Sequence, residues 1–574
     1  MSARAVAHHK ETDRIALLQS VVLVVFAVIG YQLFVNSVVV HPNVLAAAKR
    51  QQITRQDIEP KRGTIYAKNI DALYPLASTE VKYDISAVPK NVKDKQKTAE
   101  FLATALGLAK DDVFNQINND KLYISPFKKN VDRDIAQKII DANYPGVLVS
   151  PQYVRTYLEG DLAAHVLGFV NFEGKGKYGI EGFYDEELHG YAGTVEGEQD
   201  RKGRIISVDS KNSAQDGDSL VLTIDHNVQF VAEQKLRGAI EEFQAVSGQV
   251  IIVDVKTGGI VALAGSPSFN PNTFNEVKPE DQKNFLDPVI GSIYEPGSIF
   301  KPLIVAAGLD AGKITPETEG DFGSSVRVGD YEIHTAEDKA FGHENVTEIL
   351  EHSDNVAMVW LAEQTGSDVL YDYLQKFGFG TKMGIDVDGE TTGKLLDKKL
   401  WRDIQRATIS FGQGISVTPL QMVMAYQAIG NNGKLMKPHI VDAVIKTDGT
   451  KKEIDISTKF IRDVIKPETA EQVRKMLISV VDYGHGKRAA VPGYKIGGKT
   501  GTAQIPKSDG KGYEEDAHVG SFAGLVPADN PRFAMLVKLD RPSTVKFAES
   551  SAAPTFGAIA SYLLQYYQVP KTVE

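Results

Sequence analysis

Tyr294-Glu295-Pro296-Gly297-Ser298-Ile299-Phe300-Lys301-Pro302-Leu303-Ile304-Val305-Ala306-Ala307 is the stretch on which the reading of this chain turns. Its first four residues supply a turn and its last five an apolar helical run, so Ser298 is expected at a helix start. Pro302 supports that boundary, because a proline near the first turn lacks only an N–H that has no intrahelical partner. Residues three apart share a helix face, which puts the Lys301 amine within reach of the Ser298 hydroxyl, as base and nucleophile. A free lysine, with a pKa of about 10.4, is protonated at neutral pH and is no base. Burial, the positive end of the helix and a second cation each disfavour its charge. Ser-x-x-Lys is a weak signal by itself, since Ser125/Lys128, Ser508/Lys511 and Ser543/Lys546 repeat it in the same chain.

Two later strings give the pair a context: Ser353-Asp354-Asn355, then Lys499-Thr500-Gly501-Thr502. In this order the three strings read as a serine acyl-transfer site, with Lys499 as the second cation. Lys499 in isolation reads as an exposed lysine on a Gly-rich strand; in combination the balance reverses.

The strings resemble those of class B penicillin-binding proteins, the peptidoglycan D,D-transpeptidases of the bacterial cell wall. The likeness extends to Phe411-Gly412-Gln413-Gly414, to Thr418-Pro419-Leu420-Gln421 and to Gly498 through Ala503-Gln504. It implies that Ser298 attacks the carbonyl between the last two D-alanines of a stem peptide, with Lys301 as its general base. Ser353 would relay a proton to the departing D-alanine, and Asn355 would hold the substrate amide and the Lys301 side chain. Asp354 receives no catalytic role. Lys499 would set the local field, Thr500 and Thr502 would bind the donor's terminal carboxylate, and Gly501 would let substrate backbone lie close. The implied oxyanion hole is the backbone N–H pair of Ser298 and Thr502.

The expected fold class is α+β. Residues 248–255, the turn Lys256-Thr257-Gly258-Gly259 and residues 260–264 read as a buried hairpin. Tyr494-Lys495-Ile496 and residues 533–539 read as strands, with Pro527-Ala528-Asp529-Asn530-Pro531 as the turn before the second, and 554–567 as an amphipathic helix. The resemblance implies a mostly antiparallel five-stranded sheet flanked by helices, with the site where sheet meets helices. An extended stem peptide could add to a strand edge there. The polar segment 505–518 reads as a loop over the cleft mouth or as an inert surface insertion.

Residues 15–40 carry no Asp, Glu, Lys or Arg and are long enough to cross a hydrocarbon layer of about 30 Å. A cleaved signal peptide is the rival, helped by Ala46-Ala47-Ala48, but signal h-regions run to only about 7–15 residues. An uncleaved anchor is favoured. Arg4, Lys10 and Arg14 before the span balance Lys49, Arg50 and Arg55 after it, so the extracytoplasmic placement of the large C-terminal part follows from the resemblance. The expected organisation is a cytoplasmic tail (1–14), a transmembrane anchor (15–40), an N-terminal pedestal similar to the family's dimerisation domain (41–215) and a transpeptidase domain (216–574).

The chain has 574 residues, 42% of them hydrophobic, enough for several domains' worth of core. With no cysteine, disulfides, thiol nucleophiles and cysteine metal clusters are excluded. The net charge of −10 and the lack of a Walker-type loop give no footing for nucleic acid or nucleotide. No cofactor and no metal are expected. Within the pedestal, Arg62-Gly63-Thr64-Ile65-Tyr66, Arg155-Thr156-Tyr157, Ala163-Ala164-His165-Val166-Leu167-Gly168 and Gly179-Ile180-Glu181 resemble the family's non-catalytic motifs. Ala67-Lys68-Asn69-Ile70-Asp71 departs from the Asp-Arg-Asn-Gly-like turn the family has there. Arg62 and Glu181 read equally as a buried ion pair or as separate solvated charges.

The resemblance further implies partners: peptidoglycan stem peptides and strands derived from a lipid-linked precursor, β-lactams, and a multi-span membrane glycan polymerase with division-complex proteins. The 499–504 region looks more like the division-septum type than the elongation type. Other readings stay open, namely an elongation-type transpeptidase, a D,D-carboxypeptidase and a penicillin-binding scaffold with little turnover. The Glu-x-x-Leu-Asn string of one large class of serine β-lactamases is absent.

Overall fold

The computed structural model describes residues 3–40, 53–199, 205–507 and 512–573. The described chain divides into two compact units, one of 3–60 with 190–216 and one of 61–189 with 217–573. The first unit holds helix α1 (Ala3–Phe34), continued by a wider turn over Val35–Val40. Its segment Ile15–Val38 is long and apolar enough to cross a membrane, about 36 Å at the helical rise. The same unit carries a three-stranded antiparallel sheet of Ile53–Ile58, Gly193–Gln199 and Ile205–Asn212. Ala46-Ala47-Ala48, Lys49 and Arg50 lie outside the described residues.

In the second unit the pedestal segment is built on a long strand, Leu73–Ala87, whose residues 77–87 pair with Val147–Tyr157. Helices Lys95–Leu106, Lys110–Ile117 and Arg133–Ala142 cover it around Ile85, Leu102 and Ile139. Strand Ile65–Lys68 pairs in parallel with Ser219–Asp225, which pairs in turn with Val441–Ile445. One sheet therefore takes strands from both sides of the boundary at 215/216 expected from sequence. The turn that departs from the family pattern closes on Asn69, whose side chain accepts the N–H groups of Asp71 and Ala72. Arg62 and Glu181 form a buried pair at 2.6 Å. Arg155 grips the second Glu181 oxygen at 2.6 Å, and Asp185 takes the other arm of Arg62.

After helix α2 (His226–Phe243), strands β1 (Ser247–Asp254) and β2 (Ile260–Ser266) form the expected hairpin, its turn tied to the Asp254 carboxylate. Helix α3 (Lys301–Asp310) is buried on all sides through Leu309, as the apolar run implies. Helices α4 (Val346–His352), α5 (Asn355–Thr365), Ser367–Lys376 and, beyond α6 (Pro419–Gly430), which lies on the sheet, α7 (Pro467–Asp482) pack around it. The chain returns to the sheet through β3 (Gly497–Pro506), β4 (Tyr513–Val526) and β5 (Phe533–Asp540), and ends in α8 (Ala552–Tyr566). The sheet is five-stranded and antiparallel, in the order β2-β1-β5-β4-β3.

Both faces of this sheet are covered. Along β1, Val250 and Ile252 pack with α2 and α8, while Ile251 and Val253 join the core around α3 and α6. Burial on two faces explains the near-continuous apolar runs of β1 and β5, each fully buried side chain contributing about 1.5–3 kcal/mol.

Two sequence expectations shift here. Tyr494-Lys495-Ile496 is not a strand; the strand begins at Gly497, because Tyr494 and Lys495 are spent on contacts to Val569 and Ala528. The segment 505–518 is mainly a continuation of the β3-β4 hairpin, with Gln504 opposite His518 and Pro506 opposite Tyr513; residues 508–511 lie outside the described residues.

Candidate active site

Ser298 sits half-buried in a 3₁₀ turn, Gly297–Phe300, that feeds directly into α3. In a 3₁₀ turn residues three apart eclipse one another, so Ser298 and Lys301 share a side, and Pro302 falls in the first helical turn. The turn is held from several directions. Gly297 N–H donates to Gly412 O, Gly414 N–H to Glu295 Oε1, and Tyr426 Oη to Ile299 O. A Cβ at Gly412 would stand 2.1 Å from Gly297 O, so only glycine lets the 411–414 loop seat against the serine turn. Thr418 and Gln421 cap α6 reciprocally, which gives Thr418-Pro419-Leu420-Gln421 a local physical reason.

Lys301 is fully buried. Its Nζ donates to Ser353 O at 2.6 Å, to Asn355 Oδ1 at 2.8 Å and to Ser353 Oγ at 3.2 Å. The amine is thus turned to the second string, and its three bonds go there rather than to the Ser298 hydroxyl. Burial first, and the positive charge of Lys499 second, push the Lys301 amine well below the usual lysine range, against the pull of Asp354 and Glu344. Ser353 ends α4 with φ +59°. That left-handed conformation is uncommon for a residue with a side chain; it lets Asp354 start α5 by capping Val356 and Ala357. One tight helix-to-helix corner therefore delivers both Ser353 and Asn355 to Lys301.

The third string lies on β3, an edge strand of the sheet. Lys499 is fully buried and donates to Thr500 O at 3.2 Å; burial brings its amine down to about 7. Thr500 is 8% exposed and Thr502 exposed. Ala548 N–H donates to Thr502 Oγ1 at 3.1 Å, which leaves the Thr502 hydrogen free to donate elsewhere. The missing side chain of Gly501 serves the serine turn: a Cβ there would stand 2.9 Å from Pro296 O and 3.0 Å from Ile299 Cγ2. The protein's own turn thus approaches the Gly501 backbone closely. Gly297 comes similarly close to Ala503.

Of the other Ser-x-x-Lys pairs, Lys128 donates to Leu106 O and Lys546 lies over the Phe547 ring; Ser508/Lys511 lies outside the described residues. Of two buried carboxyls beside Lys301, the sequence reading set Asp354 aside and missed Glu344. Asp354 carried a recognisable signal as a helix cap, while nothing in the pattern around Glu344 marks it.

Comparison with known proteins gives the family. The family profile "Penicillin binding protein transpeptidase domain" matches residues 248–561 and "Penicillin-binding Protein dimerisation domain" matches 57–222. Stage V sporulation protein D of Bacillus subtilis is 33% identical over 94% of this chain and 83% of its own length. Peptidoglycan D,D-transpeptidase FtsI of Escherichia coli is 32% identical over 92% of this chain and 87% of its own. Among solved structures, penicillin binding protein 3 of Mycobacterium tuberculosis complexed with aztreonam superposes with a TM-score of 0.69 at 27% identity, covering 90% of this chain and 98% of that one. The chain belongs to the class B penicillin-binding protein transpeptidases, and is a serine-type peptidoglycan D,D-transpeptidase.

Proposed function

We propose that this transpeptidase crosslinks stem peptides with Ser298 as nucleophile and Lys301 as base, in septal wall synthesis. Ser298 Oγ attacks the carbonyl between the two terminal D-alanines while its proton passes to Lys301 Nζ. The tetrahedral oxyanion is held by the N–H groups of Ser298 and Thr502. As the C–N bond breaks, the proton leaves through Ser353 to the D-alanine amine, and an acyl-enzyme remains. An acceptor amine then attacks that ester, gives up its proton by the same route, and Ser298 regains its hydroxyl. Asn355 orients Lys301 and the donor amide, Lys499 keeps the field positive, and the Thr500 and Thr502 hydroxyls receive the donor carboxylate. A β-lactam follows the first half of this path.

The observation that carries the reading is the buried Lys301 amine bonded at once to Ser353 and Asn355. These partners fix the position of the amine, while burial and the Lys499 charge disfavour its ammonium form, so that a neutral amine with a free lone pair can take the proton. The test is mass spectrometry of products from a pentapeptide donor and an amine acceptor: a crosslinked product with loss of D-alanine is expected. Free acid alone would indicate a carboxypeptidase, and a stable adduct without turnover a scaffold.

The remaining organisation extends the same reading. Ile15–Val38 anchors the chain in the bacterial membrane with residues 216–574 outside the cytoplasm, and 41–215 form a pedestal for docking. Glycan strands come from a multi-span polymerase of the division machinery. The resemblance of residues 499–504 supports the division type over the elongation type.

A further inference from the structure

Glu344 lies on the short strand Gly342–Asn345, one percent exposed. Its Oε1 stands 2.6 Å from Nδ1 of His352, the last residue of α4. Its Oε2 is buried without a hydrogen-bond partner. Asp354, wholly buried, gives Oδ1 to two helix N–H groups, and its Oδ2 is also without a partner. The two carboxyls are within hydrogen-bonding reach of each other. Ionised carboxylates are acceptors only, so two of them meet favourably only around a proton. Burial and the Asp354 charge hold the Glu344 carboxyl up to about 7, with His352 acting the other way.

We propose that Glu344 and Asp354 share one proton between these oxygens, and that this pair, reached from solvent through His352, sets the charge on Lys301. Glu344 is then a positioning residue. The inference rests on Lys301 being the base. With its proton the pair carries one negative charge; without it, two, and the second charge favours the ammonium form of Lys301, which accepts no proton from Ser298. His352 is 45% exposed, so it joins the buried pair to water. The groups facing the pair are Lys301 on α3, His352 on α4 and Asp354 at the head of α5. On the adjoining strand the residue opposite Glu344 is Gly320, while Glu319 and Asp321 pair with His343. Lys339 lies over Phe341, which stacks on His352.

The experiment is the pH dependence of the acylation rate by a fluorescent penicillin, measured on the full chain. Glu344→Gln mimics the protonated acid permanently: its amide donates to Asp354 and its carbonyl accepts from His352. The pair cannot reach two charges, so the acylation midpoint should move to lower pH by at least ~0.5 unit. His352→Leu removes a donor that stabilises the Glu344 anion and should move the midpoint the same way by less; it also carries the test if Glu344→Gln does not fold. A midpoint that stays in place, with or without loss of rate, or one that rises, overturns the proposal. Ser298→Ala separates the two readings. Retained labelling of that variant defeats the assignment of the site, whereas an unlabelled Ser298→Ala with an unshifted Glu344→Gln defeats only the shared proton.

Discussion

The Lys301 amine and the Asn355 carboxamide oxygen lie 2.8 Å apart, the first on the opening residue of α3 and the second on that of α5. An amine and an amide 54 residues apart in sequence are thus held by two helix starts, and the base proposed at Lys301 is oriented before substrate arrives.

Asn355→Ala should lower the acylation rate roughly 10- to 100-fold, the worth of one hydrogen bond to a charged or charging group. Asn355→Asp should act differently, because an added anion raises the Lys301 pKa. The neutral amine then forms only at higher pH, and the rate profile should move upward by about one unit or more. Rates from stopped-flow labelling across pH check both.

Ser298→Ala should abolish covalent labelling by a fluorescent penicillin while leaving the unfolding temperature close to that of the native chain. Stoichiometric adduct on a denaturing gel would remove Ser298 from its role.

Lys499→Met should remove acylation yet stabilise the fold at and below neutral pH. In the unfolded chain this lysine titrates near 10.4, and in the fold at about 7. Between those values the unfolded state binds the extra proton, so this group makes stability rise with pH across that window. The gain from Lys499→Met should therefore be largest below about pH 7, at least ~2 °C in Tm, and shrink towards pH 10. Calorimetry of both proteins across that range tests the sign.

Thr500→Ala should impair donors that carry a terminal carboxylate far more than donors that lack one. Equal losses with both in a steady-state assay would contradict carboxylate binding.

Glu181→Ala leaves two buried guanidinium groups, Arg62 and Arg155, without their shared partner. Removal of one side of such a pair costs about 3–5 kcal/mol, to be read from urea unfolding. Acylation per folded molecule should hold, since none of these residues touches Lys301.

The three strings were legible because each is local: a turn before a helix, a corner between helices and a run of small residues. What brings them together was not. The sequence pattern puts a strand at 494–496, just ahead of the glycines on which it starts. The fold places it on the glycines because the site of a Gly498 side chain is filled by the Phe522 ring and that of Gly501 by the serine turn. Those neighbours are distant in sequence. The same holds for Arg62 and Glu181, whose pairing across 119 positions could not be told from two solvated charges. Glu344 gave no signal because an acid on a short strand is ordinary until its burial and its neighbours are known.

The 2.1 Å that separates Gly297 O from any side chain at position 412 bears on antibiotic escape. A mutation that displaces the serine turn to hinder a β-lactam displaces it equally for the stem peptide, so resistance arising at this support would cost wall synthesis as much as it costs the drug.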